Sequence, residues 1–487
     1  MTDLQTRDRT RVETTPRGAA TQRFARAGWL LVDVVLLLYV LAVAIWLVTG
    51  GIDLRFLKIN DVAKPLVVLL LLGPLRLTFG EPSWLSMRVG RLLQPAVALS
   101  TTVRARVSPA VADAALPFFA SRLAIAAVGA LAIALFAPAV PHAFAMPFRA
   151  EAFAHVFAAF DSGWYFSIAR HGYFFSATGP SSVAFFPLYP LAMHALAAPF
   201  GGGDAAIWTA GIVISLTAFA LALVEVHRLA WRVCGNRETA RRTVLYLAVF
   251  PFSFFFSSVY TESLFLLTSV LAYCDADEGK WWRAGIWGAL ATLTRPNGIL
   301  IGLPLLILAL KGRPTVRELA RRGMALALLP AALAGFCAYI YTLSGNPLGW
   351  LSAQKQWGYS IGHRPWRQVQ TVLELVVQHG LYGYLYLNTL SPYWLIHGVV
   401  GVLFLALTWG VFKRLGGAMG AYVLVSLLVP LSGSGLEGIG RYAAVLFPVF
   451  MLAGTWRSAR LREAILITSA LFLALFVSLF VTLHPIY

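Results

Sequence analysis

Long runs of apolar residues, interrupted by short polar and basic segments, make up most of the chain from residue 28 onward. A helix that spans a bilayer needs about 20 mostly apolar residues, or fewer where it is tilted or broken. The pattern therefore predicts an all-α polytopic membrane protein with about 13 transmembrane helices. The predicted spans cover residues 28–50, 64–77, 116–140, 205–227, 243–256, 263–274, 285–293, 298–310, 324–343, 393–412, 419–431, 441–453 and 464–483.

Two segments between spans are predicted to be outer loops with surface helices, one over residues 141–204 and one over 344–392. Within the first loop, the run AFFPLYPLAMHALAAPF at 184–200 is apolar enough to span a membrane. Counting it as a crossing would place the basic cluster between Arg228 and Arg242 outside, against the positive-inside rule. We therefore predict that this run lies along the membrane surface.

Several predicted spans are too short to cross a bilayer upright, notably those joined by SVYTES and by TRPNG. Non-helical backbone at membrane depth is tolerated only where it is buried in protein or lines a water-filled cavity. The outer ends of these short helices are therefore expected to border an internal cavity.

Composition supports the membrane assignment. Hydrophobic residues make up 59% of the chain and charged residues 12%, whereas a soluble domain carries roughly 25% charged residues. The net charge of +18 is compatible with nucleic-acid binding in principle. The basic residues lie in short loops between spans, however, so the charge indicates topology and nucleic acid is not expected as a partner.

The charge pattern divides the chain into three parts. Residues 1–27 are expected to be a disordered, basic, cytoplasmic amino terminus, followed by a retained signal anchor. Residues 28–115 hold two spans and a basic, amphipathic cytoplasmic segment, and residues 116–487 hold the transmembrane core. The protein is expected to be a multi-pass protein of the cell membrane, with its carboxyl terminus and its site on the extracytoplasmic side.

Neither a metal nor a cofactor is expected. The three cysteines, Cys234, Cys274 and Cys337, share no close spacing, and no histidine pairs with a carboxylate at the spacing of metal ligands. No glycine-rich phosphate loop occurs in the required strand context, so a nucleotide substrate is not expected.

Asp161 is the leading candidate for chemistry. It lies in FDSGWYFSIARHGY, an aromatic segment beside a hydrophobic span, with Trp164, Tyr165 and Tyr173 close by in sequence. A carboxylate among aromatic side chains at a membrane surface favours sugar chemistry over ion transport. The alternative is structural, because aspartate is also a good cap for the helix that begins near Trp164.

Three further charged residues, Glu262, Arg295 and Arg441, lie at the predicted outer ends of separate helices. Ionisable residues at membrane depth are costly and are therefore functional candidates. We expect them to meet Asp161 at one cavity, where arginines suit a phosphate and a carboxylate suits removal of a hydroxyl proton. Alternatively, Glu262 is a first-turn carboxylate and Arg441 a snorkelling side chain. His363 is either a substrate contact or part of a solvated loop.

Five motifs, in this order, resemble the PIG-V mannosyltransferase family of the GT-C class of glycosyltransferases. They are FDSGWYFSIARHGY, AFFPLYPL, SSVYTESLF, TRPNG and GRYAAVLFP, and they extend from about residue 157 to about residue 448. The resemblance implies a GT-C-like transmembrane bundle and a polyprenyl-phosphate sugar as donor. One departure is Phe160, where eukaryotic members of the family have tryptophan.

The resemblance also implies roles for individual residues. Asp161 and Glu262 would be catalytic, and Arg295 and Arg441 would bind the donor phosphate. Beyond these four, the candidate substrate-binding residues of the sequence are Trp164, Tyr165, Tyr173, Tyr260, Asn297 and His363.

The resulting hypothesis is an inverting, metal-independent transfer of a hexose, expected to be mannose, from polyprenyl phosphate to an acceptor hydroxyl. The acceptor would be a glycolipid, a glycan or a protein. The rival hypothesis is a transporter or flippase of lipid-linked sugars, which would place ionisable residues near mid-membrane. The candidate charges cluster at one face, which favours an enzyme. A third reading is a non-catalytic scaffold.

Overall fold

The computed structural model describes residues 31–39, 52–54, 57–59, 108–136, 139, 156–356, 360 and 362–486. The chain forms two units, Met1–Val107 and Ser108–Tyr487. The predicted disordered segment 1–27 and the predicted span 64–77 lie outside the described residues.

The first unit contains a helix over residues 31–39, inside the predicted span 28–50. It also contains two short antiparallel strands, Ile52–Leu54 and Leu57–Ile59, in which Asp53 pairs with Lys58. This hairpin is a departure from the all-α prediction. It lies between the predicted spans 28–50 and 64–77, where the apolar runs are too short to identify a strand.

The described residues of the second unit form helices and connecting segments, without strands. Its α-helices are Pro109–Leu135, Ser162–His171, Leu188–Ala197, Asp204–Cys234, Arg237–Val249, Glu262–Asp277, Trp281–Thr294, Gly302–Leu310, Val316–Leu326, Leu328–Ser344, Gly349–Gln356, Arg367–Leu385, Ser391–Leu415, Gly417–Leu431, Ile439–Ala444, Phe447–Gly454 and Ala459–Val481. Short 3-10 segments occur at Ser182–Ala184, Ala198–Phe200, Ser253–Phe256 and Pro296–Ile301.

Five helical stretches in the described part are long and apolar enough to cross a membrane. Four are single helices, Pro109–Leu135, Asp204–Cys234, Ser391–Leu415 and Ala459–Val481, and the fifth, Val316–Ser344, consists of the two consecutive helices Val316–Leu326 and Leu328–Ser344. Every predicted span from residue 205 onward falls on helical structure, and several of these helices are short or broken. The predicted multi-pass helical architecture is confirmed. The predicted number of about 13 spans is not confirmed.

The run predicted to lie on the membrane surface is divided into short helical pieces. Its main helix, Leu188–Ala197, has 10 residues, which corresponds to a length of about 15 Å. This length is too short to cross a bilayer, and a surface position stays a prediction. The second predicted outer segment likewise contains helices, Gly349–Gln356 and Arg367–Leu385.

Local sequence signals explain where the helices turn. The long helix Asp204–Cys234 ends at Gly235, whose φ of +65° suits glycine. The next residue, Asn236, begins the following helix, and its side-chain oxygen accepts hydrogen bonds from the backbone N–H groups of Glu238 and Thr239 at 2.8 and 3.3 Å. This Gly-Asn pair therefore makes the corner between two packed helices.

Close helix packing depends on small residues. A Cβ at Gly285 would lie 2.1 Å from the carbonyl oxygen of Ala325. The backbones of Trp281–Thr294 and Val316–Leu326 therefore approach as closely as a glycine allows, as in other membrane bundles.

Arg122 is a buried cation in the middle of the first long apolar helix, with 6% of its surface exposed. Its guanidinium donates hydrogen bonds to the carbonyl oxygens of Ser253 and Ala248, at 2.7 and 2.9 Å, and stacks 4.7 Å from the ring of Phe219. A buried charge is tolerated when it is fully hydrogen-bonded. Arg122 thereby attaches this helix to the 3-10 segment Ser253–Phe256.

Ion pairs mark the end of the bundle that carries the predicted inner loops. Asp113 accepts from Arg237 at 2.7 Å, and Arg232 lies 3.4 Å from Asp277. Asp277 ends the 16-residue helix that Glu262 begins, so the two residues are about 22 Å apart along the helix axis. Arg232 therefore lies beside the end of this helix that is opposite to Glu262.

Candidate functional site

Asp161 immediately precedes the helix Ser162–His171, as an N-cap residue would. Its side chain makes no capping hydrogen bond with that helix. Instead, its carboxylate Oδ2 accepts a hydrogen bond from Nη1 of Arg441 at 2.7 Å. The capping alternative is therefore wrong, and the carboxylate is directed towards another charged side chain.

The backbone around Asp161 is held by distant contacts. Phe160 has a φ of +52°, an uncommon conformation for a residue with a bulky side chain. The hydroxyl of Tyr260 donates to the carbonyl oxygen of Ala159 at 3.0 Å and accepts from the N–H of Asp161 at 3.2 Å. Strained backbone of this kind persists where the surroundings constrain it, and it concentrates at functional sites.

Arg441 connects the two predicted catalytic carboxylates. While Nη1 bonds Asp161, its Nε donates to Oε1 of Glu262 at 2.8 Å. Glu262 is fully buried and Arg441 has 12% of its side chain exposed. Because a guanidinium presents several donors in a rigid plane, it can hold two carboxylates at once.

Arg295 completes the network from a different helix end. Its Nη1 lies 3.4 Å from Oε1 of Glu262, within ion-pair distance but without hydrogen-bond geometry. The side chain of Arg295 is 7% exposed. The structure thus brings all four predicted charged residues together, with two carboxylates balanced by two guanidinium groups.

The TRPNG motif explains how Arg295 reaches this position. Pro296 cannot continue the helix Trp281–Thr294, so Arg295 is extended and a 3-10 turn follows. A Cβ at Gly298 would lie 2.0 Å from the carbonyl oxygen of Ala291. The turn therefore packs back onto the preceding helix at a place where only glycine fits.

Aromatic rings surround the two arginines. The guanidinium of Arg441 lies 4.6 Å from the ring centroid of Tyr260, and that of Arg295 lies 4.7 Å from the ring of Tyr442. Rings at these distances stabilise a guanidinium whose water has been removed. They also shield the ion pairs from solvent, which strengthens the electrostatic interactions.

A cavity of about 710 Å³ opens beside the network. Asp161, Arg295 and Arg441 line it, whereas Glu262 is not among the lining residues. Glu262 lies behind the two arginines and contacts them rather than the cavity. The volume falls within the usual range for small-molecule sites, roughly 300–1,000 Å³.

Aromatic side chains form another part of the cavity wall. Trp164 is stacked on Phe185 with ring centroids 5.7 Å apart, and Tyr165 packs edge-on against the same ring. Burial, together with the charge of Asp161, raises the pKa of the Tyr165 hydroxyl above its ordinary value. This hydroxyl therefore stays protonated and can donate a hydrogen bond.

The other residues predicted to contact substrate do not line the cavity. Tyr173 donates its hydroxyl to the carbonyl oxygen of Phe185 at 2.8 Å, and Tyr260 is fully buried beneath Asp161. His363 shares a hydrogen bond of 3.0 Å with Ser360. Asn297 is partly buried in the turn after Arg295. Of these residues, Tyr173 and Tyr260 hydrogen-bond backbone groups beside the cavity.

Trp394 and Glu437 are among the lining residues that were not predicted as site residues. The indole N–H of Trp394 donates to Oε1 of Glu437 at 2.7 Å. The sequence context of Glu437, SGSGLEGIG, resembles a loop and assigns this residue no role. Trp394 lies near the start of an apolar helix, where an aromatic residue has no distinctive signal.

The fold and the site together define a polytopic helical membrane protein with a mixed-charge cavity at one end of its bundle. Residues 130–338 match the sequence profile of the family described as Mannosyltransferase (PIG-V). The match confirms the predicted resemblance over this stretch, which includes Asp161, Glu262 and Arg295.

Several relatives resemble a part of the chain. GPI alpha-1,6-mannosyltransferase 2 of Cricetulus griseus is 28% identical over 146 residues, which is 29% of each chain. GPI mannosyltransferase 2 of Yarrowia lipolytica is 34% identical over 22% of this chain and 29% of the relative. GPI mannosyltransferase 2 of Drosophila pseudoobscura is 28% identical over 38% of this chain and 43% of the relative. The chain therefore aligns with less than half the length of each of these relatives.

Solved structures of an oligosaccharyltransferase from Archaeoglobus fulgidus are also similar. The archaeal enzyme AglB in complex with an inhibitory peptide and a dolichol-phosphate has a TM-score of 0.37 and 14% identity, covering 75% of this chain and 56% of that one. The apo form has a TM-score of 0.39 with the same identity and coverage.

Proposed function

We propose that the protein is an integral membrane glycosyltransferase that transfers a hexose from a polyprenyl-phosphate sugar to an acceptor hydroxyl. The observation that carries the proposal is the pairing of Asp161 and Arg441 on the wall of one cavity, 2.7 Å apart. A base and a phosphate-binding group are thereby side by side, as a sugar transfer from a lipid phosphate requires. The mannosyltransferase relatives support mannose as the sugar.

The reaction begins with the acceptor. Asp161 takes the proton of the acceptor hydroxyl while the oxygen attacks the anomeric carbon of the donor sugar. The bond between that carbon and the phosphate oxygen breaks, and its electron pair stays on the polyprenyl phosphate. Because a single displacement occurs, the anomeric configuration is inverted. The proton ends on the carboxyl group of Asp161.

Arg441 and Arg295 stabilise the departing phosphate. Negative charge grows on the phosphate as the bond breaks, and guanidinium groups fixed beforehand lower the cost of that charge. Arg295 has a buried Nη1 for which the described residues provide no hydrogen-bond acceptor. An incoming phosphate would provide one. These two cations allow the reaction to proceed without a metal.

Glu262 has an indirect role in this mechanism. It is buried and lies behind the arginines, so it does not reach a substrate in the cavity. Its charge holds Arg441 and Arg295 in place and offsets part of their positive charge. We assign it as a positioning residue for the donor-phosphate site, in place of the predicted catalytic role.

The site is proposed to face the extracytoplasmic side of the cell membrane. Arg232 and Arg237 lie at the other end of the bundle, where they pair with Asp277 and Asp113. Since basic loop residues tend to remain in the cytoplasm, the network of Asp161 and Arg441 would be on the opposite side. This side is also where the charge pattern predicted the site.

The test compares Asp161→Asn with Asp204→Asn in the full-length protein. Both aspartates pair with an arginine, but Asp204 is exposed, pairs with Arg170 at 2.9 Å and lies outside the cavity. Purified protein in liposomes receives polyprenyl-phosphate mannose, with mannosides and glycosylated phosphatidylinositols as trial acceptors. Release of polyprenyl phosphate is followed, so transfer to water is detected as well.

Asp161→Asn is expected to slow release by about 10²- to 10⁴-fold, the usual effect of removing a general base. Asp204→Asn is expected to stay within about twofold of the wild type, since exposed ion pairs contribute little. An Asp161→Asn protein that retains activity within a few-fold of the wild type would exclude this carboxylate as the base. A wild-type protein that releases no polyprenyl phosphate would refute the proposed reaction.

A further inference from the structure

A second carboxylate, that of Glu437, lies on the cavity wall and has no part in the mechanism above. It belongs to the turn that precedes the short helix Ile439–Ala444, which carries Arg441. Asp161 is paired with Arg441, whereas among the described residues no cation lies within ion-pair distance of Glu437, and its side-chain partner is Trp394. The two carboxylates in the cavity are therefore in different chemical surroundings.

The carboxylate lies close to the backbone of the same turn. A Cβ at Gly435 would lie 1.8 Å from Oε2 of Glu437 and 2.8 Å from its Cδ. With glycine at position 435, the carboxylate can therefore lie against the backbone without displacement of its side chain. Gly438, with a φ of +79°, then reverses the chain into the helix of Arg441.

The hydrogen bond from Trp394 orients Glu437. The indole N–H reaches Oε1 at 2.7 Å, and a carboxylate has further acceptor positions. Charged acceptors of this kind bind neutral hydroxyl groups more strongly than neutral acceptors do. The indole ring beside it offers an apolar face that also lines the cavity.

We propose that Glu437 and Trp394 form a sugar-recognition subsite of the cavity. The carboxylate of Glu437 accepts hydrogen bonds from hydroxyl groups of a hexose, and the indole of Trp394 packs against C–H groups of the ring. The inference rests on the proposed function insofar as the ligand is a sugar substrate. The hexose is carried either by the polyprenyl-phosphate donor or by the acceptor glycan.

This subsite would determine specificity. A site that hydrogen-bonds a substrate hydroxyl discriminates strongly against an analogue that lacks it, because the buried polar group is then left without a partner. A Glu437→Gln substitution keeps the size of the side chain and removes its charge. It should therefore weaken sugar binding and leave binding of the lipid phosphate intact, since Arg295 and Arg441 are unchanged.

The test is a binding measurement that does not require turnover. Full-length wild-type, Glu437→Gln and Trp394→Phe proteins in detergent are titrated with citronellyl phosphate mannose, with citronellyl phosphate lacking a sugar, and with a mannose disaccharide. If the hexose belongs to the donor, Glu437→Gln raises the Kd of citronellyl phosphate mannose about 10- to 100-fold. The Kd of citronellyl phosphate stays within about twofold, and Trp394→Phe has a smaller effect in the same direction.

If the hexose belongs to the acceptor, the same loss appears for the disaccharide and the donor is unaffected. Unchanged affinity for both sugars in Glu437→Gln overturns the proposal. Equal loss for the sugar-free citronellyl phosphate also overturns it, because the substitution has then disturbed the whole cavity. A carboxylate beside an indole could also bind an organic cation such as tetramethylammonium. If the Glu437→Gln protein loses affinity for tetramethylammonium and keeps its affinity for the sugars, the proposal is overturned.

The proposed reaction can fail separately from this subsite. A wild-type protein that binds citronellyl phosphate mannose with dependence on Glu437, yet releases no polyprenyl phosphate, refutes the transfer reaction and retains the subsite. If the Glu437→Gln protein releases polyprenyl phosphate at the normal rate, with unchanged KM for donor and acceptor, the transfer reaction is retained and the subsite is refuted.

Discussion

Replacing Glu262 with glutamine tests how the buried network is held together. Glu262 is fully buried, accepts a 2.8 Å hydrogen bond from Arg441 and lies 3.4 Å from Arg295. Glutamine preserves the size of the side chain but leaves two guanidinium groups around a neutral amide. Breaking a buried ion pair by removing one partner costs about 3–5 kcal/mol. The two arginines would then repel each other at a site with little water.

The loss is measured as the midpoint of thermal unfolding, followed by tryptophan fluorescence in detergent. At about 2 °C per kcal/mol, the midpoint of Glu262→Gln should fall by about 6–10 °C. Glu374→Gln is the matched control, because Glu374 is exposed and accepts a hydrogen bond from Gln370 at 2.8 Å. That substitution should change the free energy of unfolding by less than about 0.5 kcal/mol.

A midpoint for Glu262→Gln within about 2 °C of the wild type corresponds to a loss of less than about 1 kcal/mol. Such a result would refute the reasoning, because the positions of the arginines would then not depend on the charge of Glu262. Addition of citronellyl phosphate provides a second measurement. An anion that binds both arginines should restore part of the lost stability, because a ligand stabilises the folded state to which it binds. No such recovery is expected in the Glu374→Gln control beyond that of the wild type.

Two further substitutions test the geometry of the site. Arg441→Lys keeps a positive charge but has one nitrogen in place of the Nε and Nη1 that bond Glu262 and Asp161; turnover at saturating donor should fall about 10- to 100-fold, and a fall below threefold would contradict the bridging role. Gly298→Ala introduces a Cβ that would lie 2.0 Å from the carbonyl oxygen of Ala291, so the yield of monodisperse protein in size-exclusion chromatography should drop sharply. The control is Gly323→Ala, whose added Cβ would meet no atom within 4 Å and which should give a normal yield. Equal yields of the two variants would show that the turn after Arg295 can shift to accommodate a Cβ.

The convergence of the four charged residues was predictable from sequence because membrane topology restricts where a charge can be. Each of them lies at the end of an apolar run, and the basic loops indicate which end of each run is inside. Ionisable groups at the same depth near the outer membrane surface are costly unless they pair, so they are expected to share one polar site. Helix ends far apart in sequence, such as those at Glu262 and Arg441, could therefore be assigned to one cavity.

The distinction between lining and supporting residues was not predictable in the same way. Tyr165 and Tyr173 belong to one aromatic segment, yet Tyr165 lines the cavity and Tyr173 packs against Phe336. Side-chain packing between distant helices decides whether a ring lines a cavity. This packing cannot be predicted from the residue type. For the same reason the sequence did not separate Glu262, behind the arginines, from Glu437, on the wall.

The local role of Asp161 was also ambiguous. Aspartate before Ser162 and Gly163 is a common way to begin a helix, and nothing in the neighbouring residues distinguishes a capping carboxylate from a paired one. The distinction depends on Arg441, which is contributed by another helix. The short hairpin around Asp53 and Lys58 was missed for a related reason, since brief apolar runs do not separate strand from helix.

The hydrogen bond between Arg441 and Asp161 joins positions that are 280 residues apart, which has a consequence for biosynthesis. At about 5–20 residues per second, Asp161 leaves the ribosome roughly 15–55 s before its partner. During that interval Asp161 lacks Arg441, and Glu262 lacks it from its own synthesis onward, since it precedes Arg441 by 179 residues. Unpaired acidic groups at membrane depth are costly, so a chain that stops before residue 441 would hold these carboxylates at an energetic cost that the longer chain avoids.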